Sequence, residues 1–496
     1  MGVPLPEHFD VLIVGAGLSG IGAACHLQRE CPDRSYAILE GRADLGGTWD
    51  LFRYPGVRSD SDMHTLGYDF KPWTHEKSIA DGPSILAYLR ETAAENGVDR
   101  HIRYRHHVDG ASWSTDDGRW TVRARNTETG DTVELTCSFL FVNAGYYSYT
   151  EPYAADLPGI GSFGGTVVHP QFWPEDLDYS GKHVVVIGSG ATAMTIVPAM
   201  AADAAHVTML QRSPTYVVSR PDRDKIANRL RQLLPDTLAY RITRKKNITL
   251  LGYFYGQTRT KPEKTRHLLL GAVRKQLGAE ITDAHFTPSY NPWDQRLCLL
   301  PNGDLFEAIN AGRVSVVTDH IRTFTPTGIA LQSGAELEAD IVVTATGLQL
   351  VTPGEMSFEV DGAHVDLAET FTYRGIAFSD VPNLVSTFGY INASWTMRSD
   401  LIARFVCRLL NHMRATGTDQ CTPRLRESDR DMPRRSWIQG FTPGYMQRAM
   451  ARMPKQGDRA PWVNPQVYKA EKHDLLKAPL DDGVLQFTRT NQRITV

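Results

Sequence analysis

The sequence predicts an α/β protein with two Rossmann-like dinucleotide-binding domains and a helical insertion in the second. Three observations predict this fold. A short apolar strand, a glycine-rich turn and a helix follow one another from residue 9 and again from residue 183, and a basic helical stretch, 222–280, interrupts the second unit. The first domain is expected to comprise 1–148 and 380–496, and the second 149–379.

Composition excludes several classes of protein. Of the 496 residues, 42% are hydrophobic and 22% are charged, as is usual for globular proteins. The length suits about three folding units at roughly 150 residues each. The net charge of −3 provides no overall basic field, so no nucleic-acid partner is expected. The longest uncharged apolar stretch, 11–28, contains four glycines and follows acidic residues, which argues against a signal peptide or a membrane span.

The first unit has the features of a dinucleotide site. Gly15, Gly17 and Gly20 lie between the strand 9–14 and a helix. Glycine there lets the backbone approach a pyrophosphate, and the helix N-terminus offers free N–H groups. The next strand ends at Glu40, about 20 residues after the last glycine, where a carboxylate accepts hydrogen bonds from a ribose diol. The alternative is a glycine-rich turn without a ligand.

The second unit differs at the end of its second strand. Its turn consists of Gly188, Ser189, Gly190, Ala191 and Thr192. The following strand ends in Arg212 and Ser213, where the first unit has Glu40. A guanidinium pairs with a ribose 2′-phosphate and a hydroxyl can donate to it, whereas a carboxylate repels it. The two sites therefore favour FAD and NADPH respectively, unless Arg212 only occupies a solvated edge, and this pair of cofactors implies redox chemistry.

The cysteine pattern indicates what a reduced flavin would react with. The six cysteines include no CxxC pair, so they form no disulfide or zinc framework and favour a reducing, cytoplasmic location. Cys25 and Cys31 lie on and just after the first helix, away from a flavin. With no redox-active dithiol, molecular oxygen is the natural acceptor, and an oxygenase or oxidase is favoured over a thiol reductase.

Two motifs carry a family resemblance. Residues 163–174 (FGGTVVHPQFWP) fit the pattern FxGxxxHxxxWP, and a second signature combines GGTW at 46–49, YPG at 54–56 and Asp60. The chain resembles the Baeyer–Villiger monooxygenases, and the runs HVTMLQRSPTY, YNPWDQRLCL and INASWT are similar to the ethionamide-activating subgroup. The resemblance implies that FAD and NADPH support insertion of one oxygen atom of O2 into ketones. It also implies oxidation of sulfides and thioamides, in both cases through a C4a-peroxyflavin.

The resemblance assigns two catalytic residues. Arg296 corresponds to the active-site arginine of the family, whose permanent charge can stabilise a peroxide anion and the alkoxide that follows carbonyl attack. Asp60 corresponds to the carboxylate that orients this arginine near the flavin. From the residues alone, a structural ion pair close to Asp294 is the favoured interpretation of Arg296, and only the resemblance reverses it. Asp60 also fits a helix N-cap within 59–62.

Further cofactor contacts follow from the same resemblance. Ser19 is expected at the pyrophosphate, and Val108 is expected to contact adenine through its main chain. The expected flavin contacts are Gly47, Thr48 and Trp49. His169 is interpreted as a hinge or positioning residue and not as a general base. Many relatives have a lysine where this chain has Gln295, so some tolerance of NADH is expected.

Several alternatives stay open at this point. A flavin-containing monooxygenase that oxidises only amines or sulfides shares both glycine turns but lacks Trp173-Pro174. An uncoupled NADPH oxidase and a non-catalytic flavin redox sensor are further alternatives. The insertion 222–280 contains 14 Lys or Arg and 5 Asp or Glu, so contact with an anionic membrane surface is conceivable, although a solvated helical face is the stronger expectation.

Overall fold

The computed structural model describes residues 6–351 and 353–490. It confirms the α/β fold class, with two Rossmann-type units that each contain a parallel sheet core and flanking helices. The ends of the expected first domain, 1–5 and 491–496, and Thr352 of the expected second domain lie outside the described residues.

The first unit is built on a nine-stranded sheet whose centre is parallel. The apolar run 9–14 lies within the strand Glu7–Val14, which pairs in parallel with Tyr36–Leu39 and with Thr132–Val142. The C-terminal parts of Glu7–Val14 and Thr132–Val142 are buried and mostly apolar, because both faces of the sheet are covered there. In spatial order the strands are Ala363–His364, Ser357–Val360, His106–Ser114, Arg119–Asn126, Thr132–Val142, Glu7–Val14, Tyr36–Leu39 and Ile102–Arg103, and Leu384–Ser386 also pairs with Thr132–Val142.

Helices from distant parts of the chain cover this sheet. The helix Leu18–Glu30 follows the first glycine turn and packs against Trp395–Thr416, which contains the helix predicted over 400–414. The other α-helices of this unit are Thr48–Leu51, Met63–Leu66, Gly82–Glu95, Gly444–Ala449 and Tyr468–Leu476. Short 3-10 helices lie at Val98–His101, Leu367–Glu369, Glu427–Asp429 and Met450–Arg452. Two-stranded ribbons pair Thr372–Tyr373 with Ala377–Phe378, Gln420–Pro423 with Leu485–Thr488, and Arg435–Ser436 with Lys455–Gln456.

The second unit is built on a five-stranded parallel sheet. In spatial order its strands are Val314–Thr318, His206–Gln211, His183–Ile187, Ile341–Thr344 and Thr166–Val168. The helices Ala191–Met200 and Asp304–Asn310 pack near it, and 3-10 helices lie at Ile160–Ser162 and Pro170–Phe172. A separate antiparallel sheet consists of Ile321–Thr325, Gly328–Leu331 and Glu336–Glu338.

A helical segment interrupts the second unit close to where the sequence places the insertion. Its helices are Lys225–Leu233, Asp236–Thr260, Pro262–Leu277 and Ala279–His285. The strands Val217–Arg220 and Cys298–Pro301, which enter and leave the segment, pair in parallel with each other. Within the described residues, none of the helices combines the length and apolar character needed to cross a bilayer.

The expected limit of the second domain at 379 is wrong in one respect. The predicted hairpin over 358–365 forms on an Asp361-Gly362 turn, and both turn residues have positive φ. Its first strand pairs with Gly110–Trp113 and therefore belongs to the first sheet. Phe358 is buried there, and its ring packs edge-on against the ring of Trp120 with 6.2 Å between the two centroids. Burial of this aromatic side chain stabilises the segment in the first unit.

Candidate functional site

A cavity of about 1100 Å³ lies between the two units, where the parallel strands of both sheets end. Open α/β sheets bind ligands at this edge because the loops that follow the strands converge there. Both glycine turns line the cavity, together with the segment 46–49 and the predicted residues Asp60, Arg212 and Arg296. The structure therefore brings both glycine turns, residues of the second signature and the two predicted arginines to one space.

The first glycine turn is closely packed on its inner side and open toward the cavity. Gly15 has φ +99°, and a Cβ there would lie 2.6 Å from the Asn143 carbonyl oxygen. A Cβ on Gly20 would lie 1.8 Å from the Gly15 carbonyl oxygen, so the helix can approach the strand only with glycine at this position. The helix that begins after Gly17 has neither a side-chain cap nor an acidic residue in its first turn. Its first N–H groups are available to an anion.

Glu40 is fixed at the edge of this turn. The backbone N–H of Ala16 donates to Glu40 Oε2 at 2.7 Å, and that of Arg42 donates to Oε1 at 2.9 Å. Burial raises the pKa of the Glu40 carboxyl, and these two backbone donors oppose the rise. Each oxygen keeps a lone pair for a further donor, as a ribose diol would supply.

The other predicted contacts of the first turn also reach the cavity. The indole N–H of Trp395 donates to Ser19 Oγ at 2.8 Å, which fixes the hydroxyl at the start of the helix. Thr48 Oγ1 lies 3.4 Å from the Tyr149 hydroxyl. The remaining residues of this group that line the cavity are Gly47, Trp49 and Val108.

The second glycine turn repeats the arrangement in the other unit. Gly188 has φ +139°, and a Cβ there would lie 2.3 Å from the Ala345 carbonyl oxygen. Ser189 Oγ donates to the Ser213 carbonyl oxygen at 3.1 Å, which ties the turn to the end of the second strand. Among the described residues, no atom beyond Gly190 and its chain neighbours lies within 4 Å of the position that a Cβ on Gly190 would take, and the helix Ala191–Met200 begins without a side-chain cap. This turn is also open to an anion.

Arg212 lies exposed on the cavity wall beyond this turn. Among the described residues, no carboxylate lies within 4.0 Å of its guanidinium. Ser213 and Gln295 line the same cavity. The charge of Arg212 is therefore available to a ligand.

Arg296 and Asp60 form an ion pair inside the cavity. Arg296 Nη1 donates to Asp60 Oδ2 at 2.9 Å, and the two side chains keep 30% and 43% of their surface exposed. The alternatives from the sequence involve other residues: Asp294 pairs with Arg259 at 2.8 Å, and Asp62 caps the helix that begins at Met63. The pair thus joins residues of the two units that lie far apart in the sequence.

Three tyrosines surround the guanidinium of this pair. Burial acts to lower the pKa of Arg296, but Tyr445, Asp60 and Tyr146 act to raise it, and the net pKa lies well above its ordinary value. Tyr146 and Tyr147 hydrogen-bond through their hydroxyls. Burial raises the pKa of Tyr146 to about 12. A fixed positive charge therefore lies beside Tyr146 and Tyr147, and burial raises the pKa of both phenols.

The long helix Asp236–Thr260 contacts both loops that carry the pair. Asn247 Nδ2 donates to Asp62 Oδ1 at 2.8 Å, two residues from Asp60. Near the end of the helix, Arg259 Nη1 donates to Asp294 Oδ1 at 2.8 Å, two residues from Arg296. One helix of the insertion thereby fixes the spacing of the two loops.

The fingerprint segment 163–174 lies outside the lining of the cavity. Thr166–Val168 is the edge strand of the second sheet, and the backbone N–H of Gln171 donates to His169 Nδ1 at 3.2 Å. Burial lowers the pKa of His169, and its side chain lies outside the cavity lining. This placement agrees with a positioning residue and argues against a general base.

Sequence reasoning missed several residues of the cavity wall. Tyr146 and Tyr147 follow a predicted strand, and their position at its carboxyl end was the available signal. Tyr445 and Arg448 belong to a short C-terminal helix that no motif marks. Cys298 also lines the cavity, and burial raises the pKa of its thiol to about 12.

Sequence comparison places these features in a known family. The sequence model of the flavin-binding monooxygenase-like family matches residues 9–416. The chain belongs to this family. It is 52% identical to the FAD-containing monooxygenase EthA of Mycobacterium tuberculosis over 488 residues, which cover 98% of this chain and 99% of that protein. It is 45% identical to the probable FAD-binding monooxygenase AlmA of Acinetobacter baylyi over 492 residues, which cover 99% and 98% of the two chains.

Solved structures of other monooxygenases share the fold. A steroid monooxygenase bound to NADP has a TM-score of 0.76 at 23% identity, covering 97% of this chain and 100% of that chain. The cyclohexanone monooxygenase from Rhodococcus sp. Phi1 bound to NADP+ has a TM-score of 0.74 at 20% identity, covering 98% and 100%. The resemblance to flavoprotein monooxygenases stated from the motifs is confirmed.

Proposed function

We propose that the protein is an FAD- and NADPH-dependent Baeyer–Villiger monooxygenase. It inserts one oxygen atom of O2 into ketones to give esters or lactones, and it oxidises sulfides and thioamides. The observation that supports this function best is the Arg296–Asp60 pair, which faces the same cavity as both glycine turns. A guanidinium held beside two dinucleotide sites suits a reaction in which negative charge develops on oxygen.

The first turn fits FAD. The space above Gly17 would receive the pyrophosphate against the uncapped start of the helix, and Glu40 would accept hydrogen bonds from the ribose. Ser19, oriented by Trp395, would donate at the same helix start. Val108 would contact the adenine through its main chain, and Thr48 and Trp49 would contact the flavin.

The second turn fits NADPH. The open space above Gly190 would receive the pyrophosphate at the start of the helix Ala191–Met200. Arg212 would pair with the 2′-phosphate, since the described residues leave its charge free, and Ser213 would donate to the same phosphate. Gln295 is uncharged, so Arg212 would be the main cation at the 2′-phosphate. The preference for NADPH over NADH would therefore be smaller than in relatives that have a lysine in place of Gln295.

The side chains of the pair have separate roles in this proposal. When bound, FAD would take a hydride from NADPH and supply the activated oxygen. Arg296 stabilises the negative charge on oxygen during attack on the carbonyl, and its pKa ensures that it does not act as an acid. Asp60 orients the guanidinium through the bond at 2.9 Å. Tyr146 and Tyr147 keep their protons and can donate hydrogen bonds without competing as bases.

The test separates hydride transfer from oxygenation. Flavin reduction by NADPH is followed by stopped-flow absorbance, and ester formation from a simple ketone under ¹⁸O2 is followed by mass spectrometry. We expect Arg296→Ala to reduce flavin at a near-normal rate but to lose about a hundredfold or more of ester formation. Arg100→Ala, which removes an exposed arginine that lies outside the cavity lining together with both of its sequence neighbours, serves as the control.

Each alternative function has its own outcome in this experiment. Oxidation of sulfides but not of ketones by the wild-type protein indicates an N- or S-monooxygenase. Hydrogen peroxide equal to the NADPH consumed, with every substrate, indicates an oxidase. Slow flavin reduction that no small molecule accelerates indicates a redox sensor. Normal ester formation by Arg296→Ala would contradict the role of the arginine.

A further inference from the structure

The helical segment carries most of the exposed apolar side chains in the described part of the chain. Seven of the ten large apolar residues that are exposed there belong to it: Ile226, Leu233, Leu238, Ile242, Leu250, Tyr253 and Leu268. Single exposed apolar residues are ordinary, but this concentration on one inserted segment is not. The segment presents apolar surface that the fold itself does not cover.

The helix Lys225–Leu233 shows this most directly. Ile226, Leu230 and Leu233 follow at spacings of four and three, so they form one stripe. An amphipathic helix normally turns such a stripe toward the core. Here Ile226 and Leu233 are 57% and 70% exposed, and Ala227 is the only buried residue of the helix.

The next helix, Asp236–Thr260, continues the surface. Leu238, Ile242, Lys245 and Tyr253 share one helical face, and all four are exposed. The opposite face is buried and includes Arg244, whose Nη1 donates to the Gly67 carbonyl oxygen at 2.7 Å. The contacts of its inner face therefore fix the orientation of the helix, and its outer face stays exposed.

Basic residues are interspersed with these apolar side chains. Arg229, Arg241 and Lys245 are exposed among them, and the helix Asp236–Thr260 has a single acidic residue, at its first position. The stretch 222–280 as a whole contains 14 Lys or Arg and 5 Asp or Glu. A second copy of the chain would bring the same positive charge against itself, which disfavours a symmetric dimer through this face.

We propose that this outer face of the helices Lys225–Leu233 and Asp236–Thr260 docks on the surface of an anionic lipid bilayer. Leucine, isoleucine and tyrosine side chains enter the boundary between headgroups and acyl chains, while arginine and lysine pair with lipid phosphates. The two helices lie on the surface and do not cross it. The proposal does not depend on the reaction that the cavity catalyses.

The test uses the full-length, FAD-loaded protein and vesicles of phosphatidylcholine alone or with about a third phosphatidylglycerol. We expect co-sedimentation with the anionic vesicles at low salt, and its loss as salt rises. Leu233→Ser combined with Ile242→Ser removes apolar contacts, and Arg241→Gln combined with Lys245→Gln removes charge. Each double variant should bind at least tenfold more weakly, since one basic residue near an anionic surface contributes roughly a factor of five.

Matched variants control for general effects on the protein. Val467→Ser removes an apolar side chain that is 46% exposed outside the segment, and Arg322→Gln removes an exposed charge outside it. Both should bind like the wild type. The proposal is overturned if the protein does not bind anionic vesicles at low salt, or if both double variants bind as well as these controls. Sedimentation equilibrium tests self-association through the same face. A wild-type dimer that is lost in Leu233→Ser combined with Ile242→Ser would identify a self-association surface and overturn the proposal.

Discussion

Asn247 donates its side-chain amide to Asp62 Oδ1 at 2.8 Å, and this bond connects the helical insertion to the loop that carries Asp60. The same helix holds the loop of Arg296 through Arg259 and Asp294. An insertion that the sequence marks by its helical pattern and its basic charge therefore contacts both sides of the ion pair in the cavity. A pair that must keep one geometry depends on such supporting contacts.

Removing these supports should impair oxygenation more than hydride transfer. We expect Asn247→Ala and Arg259→Ala each to lower ester formation about tenfold, to raise hydrogen peroxide release, and to change flavin reduction by less than about twofold. Hydrogen exchange of peptides covering 59–66 and 291–297 should increase in the respective variants. Arg241→Ala, on the exposed face of the same helix, is the control. Unchanged exchange together with normal coupling would show that the helix does not position the pair.

The two glycine turns should respond differently to a single added methyl group. In the described part of the chain, only Gly190 and its chain neighbours lie near the Cβ position at Gly190, so Gly190→Ala should fold normally. It should raise the KM for NADPH roughly tenfold, because the methyl group enters the pyrophosphate space. At Gly20 the Cβ would lie 1.8 Å from the Gly15 carbonyl oxygen, so Gly20→Ala should lose FAD and stability. Flavin content, melting temperature and KM distinguish the two results. A normal KM for Gly190→Ala would place the cofactor elsewhere.

Cofactor preference should depend on Arg212. Replacing it with alanine should reduce kcat/KM for NADPH by about one to two orders of magnitude and leave that for NADH nearly unchanged, since only NADPH has the 2′-phosphate. Gln295→Lys should have the opposite effect and strengthen the preference for NADPH. Steady-state kinetics with both nucleotides measure this ratio. An equal loss with NADH and NADPH would mean that Arg212 does not contact the phosphate.

Stability should vary with pH through His26. Its Nε2 lies 3.4 Å from Asp400 Oδ1 and its Nδ1 lies 3.3 Å from Glu30 Oε1. Burial acts to lower its pKa, but these carboxylates raise it from 6.5 to about 9. Because the folded-state pKa lies above the unfolded one, the contribution to stability is complete below pH 6.5 and is lost as the pH rises through 9.

The variant His26→Gln should therefore be destabilised most at about pH 6 and least above about pH 9.5, with a difference of up to roughly 3 kcal/mol. Melting temperatures of the variant and the wild type across this range provide the measurement. Asp69 and Arg244 are charged side chains close to His26 and Asp400. Because salt screens interactions between charges, all measurements are made at one ionic strength. A destabilisation that is the same at every pH would show that folding does not raise the pKa of the histidine.

The parts of the fold that follow from local sequence were predicted well. The strands and helices around Gly15 and Gly188 lie where the apolar runs and glycines indicate, because each unit is a continuous stretch whose pattern is set by nearby residues. The hairpin on Asp361-Gly362 was predicted for the same reason. Its assignment to the second unit was wrong because burial of Phe358 in the first sheet depends on residues far away in the sequence.

The site followed from sequence only where a motif marked it. Arg296 and Asp60 were identified through the family resemblance, since from composition alone an arginine close to Asp294 suggests a local ion pair. The contacts of Asn247 and Arg259, and the wall formed by Tyr445, have no local signature. They arise because an inserted helix bonds to the two loops that carry the pair, and because a C-terminal segment lines the cavity.

Cys298 has a consequence for the durability of the protein. Its sulfur borders the cavity two residues from Arg296, close to where oxygen would be activated. Thiolates react with oxidants and thiols do so poorly, and burial holds the pKa of this group at about 12. If the cavity carries out the proposed reaction, we expect the protonated thiol to keep this oxidisable sulfur from conversion to a sulfenic acid over many turnovers.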